Sequence, residues 1–150
     1  MATRIAFAAD HAGLSLKNEL VAELKKNGQF EVTDHGPMTA DSVDYPDFAL
    51  KVTAAINEKQ ADLGVLVCGS GIGMSISANK VHGIRAALCH TEFEGRMCRM
   101  HNDANVLCLG QRVVGAGVAI EILRVFLDSK FEGGRHARRV EKLNALEAKR

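Results

Sequence analysis

At 150 residues, 47% apolar and 25% charged, the chain has the size and composition of one globular domain with a real core, which excludes a disordered chain. Its formal net charge of +1 gives no general attraction to nucleic acid or membranes, and no apolar run approaches the length of a bilayer span. Met1-Ala2-Thr3-Arg4 has no long apolar region after it, so a cytoplasmic protein is expected. Its cysteines at 68, 89, 98 and 108 would then be free thiols, and none forms the C-x-x-C pair of zinc or thioredoxin chemistry.

Arg4 to Ala9 reads as a first strand, with Asp10-His11-Ala12-Gly13 as its polar end. Leu14, Leu16, Leu20, Val21 and Leu24 recur at helical spacing until Gly28 stops the helix. Phe30–Asp34 is a second strand, and His35 to Asp44 a loop rich in Gly, Pro, Asp and Ser. Tyr45-Pro46 opens a helix bearing Phe48, Ala49, Val52, Ala55 and Ile56. The apolar run at Val65 ends a third strand in Cys68, before Gly69-Ser70-Gly71-Ile72-Gly73 and a helix to about Lys80. Ile84–Cys89 is a fourth strand, and Thr91 with Glu94 forms a capping box for a helix running towards His101. Asn105–Leu109 is a fifth strand, Val113–Leu127 an apolar helix, and Arg135 to about Ala148 a basic final helix. Alternating strands and helices with short connections predict right-handed βαβ units in one domain over 1–150. Its sheet would hold about five parallel strands with helices on both faces.

The loop after Cys68 fits no standard nucleotide motif. A dinucleotide fingerprint would need glycine at 74, where Met74 stands, and no Gly-Lys-Ser/Thr tripeptide is present. A phosphate-clamping arginine is missing as well; the loop closes on Met74-Ser75. What is left is a thiol beside backbone N–H groups and a helix N-terminus, a cradle for an anion or oxyanion. A buried cysteine ending a core strand is the bland alternative. Asp10-His11, Cys68–Ser75, His90-Thr91 and Gln111-Arg112 all fall at the carboxyl ends of strands, where open α/β sheets hold ligands. His101-Asn102-Asp103 falls at the opposite edge, which hints at a site shared across a dimer. Arg135 and Arg139, four apart, share a helix face and could clamp a phosphate or form a solvated basic face. Cys89, Cys98 and Cys108 read as packing residues.

Ala9-Asp10-His11-Ala12-Gly13, Cys68-Gly69-Ser70-Gly71-Ile72-Gly73, Ala78-Asn79-Lys80 with Gly83-Ile84-Arg85-Ala86, His101-Asn102-Asp103-Ala104-Asn105-Val106 and Glu132-Gly133-Gly134-Arg135-His136 together resemble the type B ribose-5-phosphate isomerases. That family also holds allose-6-phosphate and galactose-6-phosphate isomerases, and the resemblance covers nearly the whole chain. It implies a Rossmann-like three-layer α/β fold, no metal and no cofactor. It also implies a homodimer or dimer of dimers whose sites lie at the interface, with a C-terminal helix that reaches a partner subunit. Residue by residue, it makes Cys68 the base at the sugar's C2, and Ser70 with the amides of the stretch from Gly69 through Gly71 to Gly73 the stabilisers of the enediolate. It makes His101 with Asp10 the ring-opening pair, His11, Arg112, Arg135 and Arg139 the phosphate ligands, and Tyr45 and Asn102 the sugar's walls. Some members place a glutamate after the glycine loop instead of the cysteine; with Met74 there, this chain is similar to the cysteine branch.

The implied activity is metal-independent interconversion of ribose 5-phosphate and ribulose 5-phosphate, with a six-carbon or four-carbon phosphate as the alternative substrate. A thiol near a helix N-terminus suits that proton transfer. A cysteine hydrolase and a non-catalytic sugar-phosphate sensor are the readings from other classes. The first would show phosphate release and the second binding without turnover.

Overall fold

Five strands and six α-helices alternate along residues 1–149, those described by the computed structural model. In order they are β1 (Thr3–Ala9), α1 (Leu14–Asn27), β2 (Phe30–Asp34), α2 (Tyr45–Asn57), β3 (Leu63–Cys68) and α3 (Ile72–Asn79). Then come β4 (Ala86–Leu88), α4 (Glu92–Asn102), β5 (Val106–Gly110), α5 (Ala116–Asp128) and α6 (Arg135–Ala145), with a 3-10 turn at Leu146–Lys149. The sheet is parallel throughout, in the order β2-β1-β3-β5-β4. No helix among the described residues is long and apolar enough to cross a membrane.

The inner strands β1, β3 and β5 are apolar on both faces because helices cover both, while the edge strand β2 alternates apolar and polar residues. Ile5, Phe7 and Ala9 of β1 meet Leu20, Leu24, Ile122 and Phe126 in the layer made by α1, α4 and α5. Ala6 and Ala8, the other parity, meet Val52, Met74 and Ala78 in the layer made by α2 and α3. The result is the three-layer sandwich expected. Each fully buried Leu, Ile or Phe contributes roughly 1.5–3 kcal/mol.

Local signals hold at most boundaries. Gly28 ends α1 in the left-handed region at φ 62°. Thr91 accepts from the Glu94 N–H at 3.2 Å while the Glu94 carboxylate accepts from the Thr91 N–H at 3.0 Å, a complete capping box. Three expected boundaries are corrected. β4 covers only Ala86–Leu88 rather than 84–89, because at this sheet edge the Asn79 side chain takes the Ala86 backbone and Asn105 Oδ1 takes the Arg85 N–H. α5 starts at Ala116, after turns at Val113 and Val114 that close on the Gly110 carbonyl. α6 ends at Ala145, where the chain tightens into the 3-10 turn.

Candidate active site

Between β1 and β3 the strand order reverses direction, since β2 lies on one side of β1 and all later strands on the other. The loops leaving the two carboxyl ends part there and open a crevice. Register places the chemistry at its mouth. Ala9 is level with Val67, and Cys68 with Gly110, so Asp10 and Cys68 share one rank. Asp10 continues the Ala6–Ala8 parity and Cys68 that of Leu66, which aims both to the α2–α3 side. A cavity of about 580 Å³ opens here, lined by Asp10, His11, Tyr45, Cys68, Ser70 and Arg112 together with Gly69 and Gly73.

Hydrogen bonds hold the loop in shape. The Gly71 N–H donates to Cys68 Sγ at 3.1 Å, and the Ile72 N–H to Ser70 Oγ at 3.2 Å. Two of the amides expected to face substrate therefore serve the thiol and the hydroxyl instead. Asp10 Oδ1 accepts the Gly13 N–H at 3.0 Å, so this carboxylate braces the β1–α1 turn rather than capping α1. His11 Nδ1 accepts the Val43 N–H at 3.1 Å, which puts the proton of a neutral His11 on Nε2. Tyr45 lies over Gly73, where an added Cβ would stand 2.7 Å from its ring. The Arg112 guanidinium lies against Gly69, and the Arg112 N–H donates to the Gly69 carbonyl at 2.9 Å.

His101, Asn102 and Arg139 form a separate cavity of about 230 Å³ with His136 at the other end of the sheet. Arg135 is exposed at the start of α6 and lines neither cavity. The predicted residues are thus brought together as two groups, Cys68 with Asp10, His11, Tyr45, Ser70 and Arg112, and His101 with Asn102 and Arg139. One chain does not unite them. Arg85 fixes the second group: its Nε donates to the Asn102 and Asp103 carbonyls, and its Nη2 lies 3.2 Å from Asp103 Oδ2. Arg99 adds bonds to Asp103 Oδ1 and the Ala104 carbonyl.

His101, Glu132 and His136 offer the one group of three potential metal ligands found among the described residues. The two imidazoles are stacked, with planes within 10° and centroids 4.1 Å apart. An ion in the plane of one ring would lie out of the plane of the other, so this arrangement does not present a ready zinc site. The remaining cysteines pack. Cys89 Sγ donates to Cys98 Sγ at 3.9 Å within the core, and burial pushes the Cys108 thiol upward.

Sequence reasoning missed Lys17. Its side chain is fully buried, with Nζ 2.8 and 2.9 Å from the Asp34 oxygens and 2.9 Å from the Pro37 carbonyl. It ties α1 to the loop whose Gly36 carbonyl accepts the Ala9 N–H beside Asp10. A lysine on an otherwise helical pattern gives no local sign of this. Gln111, placed at a strand's carboxyl end from sequence, braces α1 there, its Oε1 accepting the Leu16 N–H; the pair Glu132–His136 was missed, the spacing of four being the available signal.

Comparison with known proteins bears on both groups. A profile of the ribose/galactose isomerase family matches residues 5–143. The ribose-5-phosphate isomerase B of Escherichia coli is 45% identical over 147 residues, covering 98% of each chain. The D-erythrulose-4-phosphate isomerase of Pectobacterium atrosepticum is 44% identical over 95% of this chain and 94% of that protein. The solved structure of Clostridium thermocellum ribose-5-phosphate isomerase B superposes with a TM-score of 0.96 at 50% identity, covering 98% of this chain and 99% of the other.

Proposed function

The chain belongs to the ribose/galactose isomerase family, and we propose that it is a cytoplasmic enzyme that interconverts ribose 5-phosphate and ribulose 5-phosphate at a site shared by two copies. The observation that carries this reading is the thiol of Cys68 at the crevice between β1 and β3, with a hydroxyl, a carboxylate, an imidazole and a guanidinium lining the same cavity.

Cys68 takes the proton from C2 of the open-chain aldose and returns it to C1, while the hydroxyl proton moves from O2 to O1. A placed general base contributes ~10²–10⁴-fold to such a rate. The Gly71 N–H holds Sγ and the Ile72 N–H holds the Ser70 hydroxyl, so stabilising the enediolate oxygens falls to Ser70 and the amides of Gly69 and Gly73, roughly 10²–10³-fold per donor. His11 and Arg112 hold the phosphate from one copy, and Arg135 and Arg139 from a second. Tyr45 lines the sugar, as does Asn102 of the second copy. His101 of that copy, with Asp10, opens the furanose ring.

A homodimer, or a dimer of dimers, is supported by two features. The catalytic groups are divided between opposite ends of one sheet. Ile72, Ile76 and Val113, each more than half exposed, rim the Cys68 cavity with apolar surface that a second copy would cover. α6, which carries Arg135 and Arg139, is the helix that reaches across.

The test follows ketose formation from ribose 5-phosphate in wild type and Cys68→Ala. Turnover that falls at least 10²-fold while ribose 5-phosphate still binds supports Cys68 as the base. Binding without wild-type turnover would support a sensor, and phosphate release a hydrolase. A relative of nearly equal identity acts on a four-carbon sugar phosphate, so erythrulose 4-phosphate and allose 6-phosphate belong beside it in the assay. Turnover of only one of these keeps the mechanism and changes the substrate.

A further inference from the structure

His101 and Asn102 close α4, and the side chain that orders them comes from outside the helix. One residue on, Asp103 ends α4 in the left-handed region at φ 47° and ψ 44°, an uncommon place for a residue other than glycine. Two guanidiniums hold it there. Arg85, just before β4, donates from Nε to the Asn102 and Asp103 carbonyls at 3.2 and 3.0 Å and from Nη2 to Asp103 Oδ2 at 3.2 Å. Arg99 Nη1 donates to Asp103 Oδ1 at 2.9 Å. The last arm of Arg85 goes elsewhere: Nη1 donates to Asn144 Oδ1, on α6, at 3.2 Å. One side chain, only 15% exposed, thus joins the end of α4 to the helix that carries Arg135 and Arg139.

Packing alone does not set α6 here. A cavity of about 390 Å³ lies between Leu143 and Leu146 of the C-terminal segment and Ile84, Ala86 and Cys98, so these apolar surfaces face each other without interlocking. Arg85 and Glu147 line it too, and two hydrogen bonds join its sides, Arg85 to Asn144 and the Gly83 N–H to Glu147 Oε1 at 2.9 Å. A guanidinium fork with several fixed donors sets direction as well as distance. We propose that Arg85 is a positioning residue for the isomerase site, holding His101 and Asn102 in register with Arg139 so that the whole group fits the Cys68 group of another copy. The inference rests on the reading that two copies share each site. Arg85 acts through these side chains and not on the reacting atoms, and about 1 Å of misplacement costs ~10²-fold in rate.

Subunit mixing reads this directly, because Arg85 of one chain then serves the Cys68 of another. Arg85→Gln removes the fork, and Arg85→Lys keeps the charge without it. The expected result is a ~10²-fold loss of ketose formation from ribose 5-phosphate in Arg85→Gln, partly recovered in Arg85→Lys. Mixed with Cys68→Ala, Arg85→Gln should return about a quarter of wild-type turnover, since half of the dimers are hybrids and each hybrid joins one sound Cys68 to one sound second group. Mixed with His101→Asn it should return nothing, since both lesions then lie in second groups; recovery there overturns the proposal. A merely structural role damages the Cys68 group of the same chain, so absence of recovery with Cys68→Ala overturns it too. Turnover of Arg85→Gln within about threefold of wild type does the same. The mixture of Cys68→Ala with His101→Asn is the control. No recovery there after demonstrated exchange overturns the shared site itself, and the proposal with it. Should Arg85→Gln fail to fold, Asn144→Ala removes only the α6 arm, at an exposed position. It should raise KM for ribose 5-phosphate about 3–10-fold, the worth of one hydrogen bond, with kcat within about twofold of wild type; an unchanged KM overturns the proposal.

Discussion

Replacing Gly71 by alanine tests the loop that holds the thiol. Gly71 has φ 77° and ψ −12°, in the left-handed region, which costs about 1–2 kcal/mol for a residue with a Cβ. The new Cβ would stand 2.5 Å from Leu88 Cδ1 and 2.9 Å from the carbonyl carbon of Leu109. The Leu88 side chain can turn away, but the β5 backbone has no such freedom, so the loop itself must move; overpacking of this kind costs about 1–3 kcal/mol. The sum is about 2–5 kcal/mol, or roughly 5–15 °C in Tm for a chain of this size. Gly28 is the control. It has φ 62° with no atom near an added Cβ, so Gly28→Ala carries the backbone cost alone, about 1–2 kcal/mol. Urea unfolding of both variants isolates the steric part. Because the Gly71 N–H bonds to Cys68 Sγ, displacing the loop also misplaces the thiol proposed as the base, and about 1 Å of misplacement is worth ~10²-fold in kcat. A Gly71→Ala protein no less stable than Gly28→Ala, with kcat within a factor of about three of wild type, would refute the reasoning.

Mixing Cys68→Ala with His101→Asn, each inactive alone, gives heterodimers with one intact site if two copies share the site. Random exchange of subunits should restore about a quarter of wild-type turnover, and no recovery after demonstrated exchange would place both residues in one chain's site. Lys17→Met leaves the half-buried Asp34 without its cation, a loss of about 3 kcal/mol at the low end of the range for broken buried pairs, since the Asp34 side chain is 17% exposed; urea unfolding measures it, and a loss below about 1 kcal/mol would deny the pair its role. The N–H groups of His90 and Thr91 hold the Glu94 carboxyl below its ordinary range. Its contribution is therefore present above the unfolded value of about 4.3 and fades as pH falls through the lowered folded value. Glu94→Ala should lose about 1 kcal/mol at neutral pH and converge with wild type in acid, read from denaturation at several pH values.

The strand–helix alternation, the capping box at Thr91 and Glu94, and the left-handed stop at Gly28 were legible because each is written within a few residues. The thiol at a strand's end before alternating glycines was legible for the same reason. Placing polar clusters at strand ends then put the Cys68 and His101 groups at opposite edges of the sheet, where the structure has them, since in a parallel sheet every carboxyl end faces one way. The resemblance to the type B isomerases supplied what spacing did not, the roles proposed for the separate groups.

Other features depend on pairs far apart in the chain. Position 17 continues an ordinary helix, and only the fold brings it under Asp34 and Pro37, where the lysine ends up fully buried. β4 looked longer because Ile84 and Cys89 are apolar, but an edge strand has one neighbour, and the side chains of Asn79 and Asn105 replace the ladder at its start. Glu132 comes within 3.8 Å of His101 across thirty-one positions by way of the Met100 carbonyl. Sequence by itself therefore determined the elements, their parallel order of direction and the residue types at the crevice, because periodicity and turn chemistry act over one or two turns of chain. Tertiary structure alone decided the strand order, the buried lysine and the stacking of two histidines beside one carboxylate, because those depend on which distant surfaces exclude water from each other.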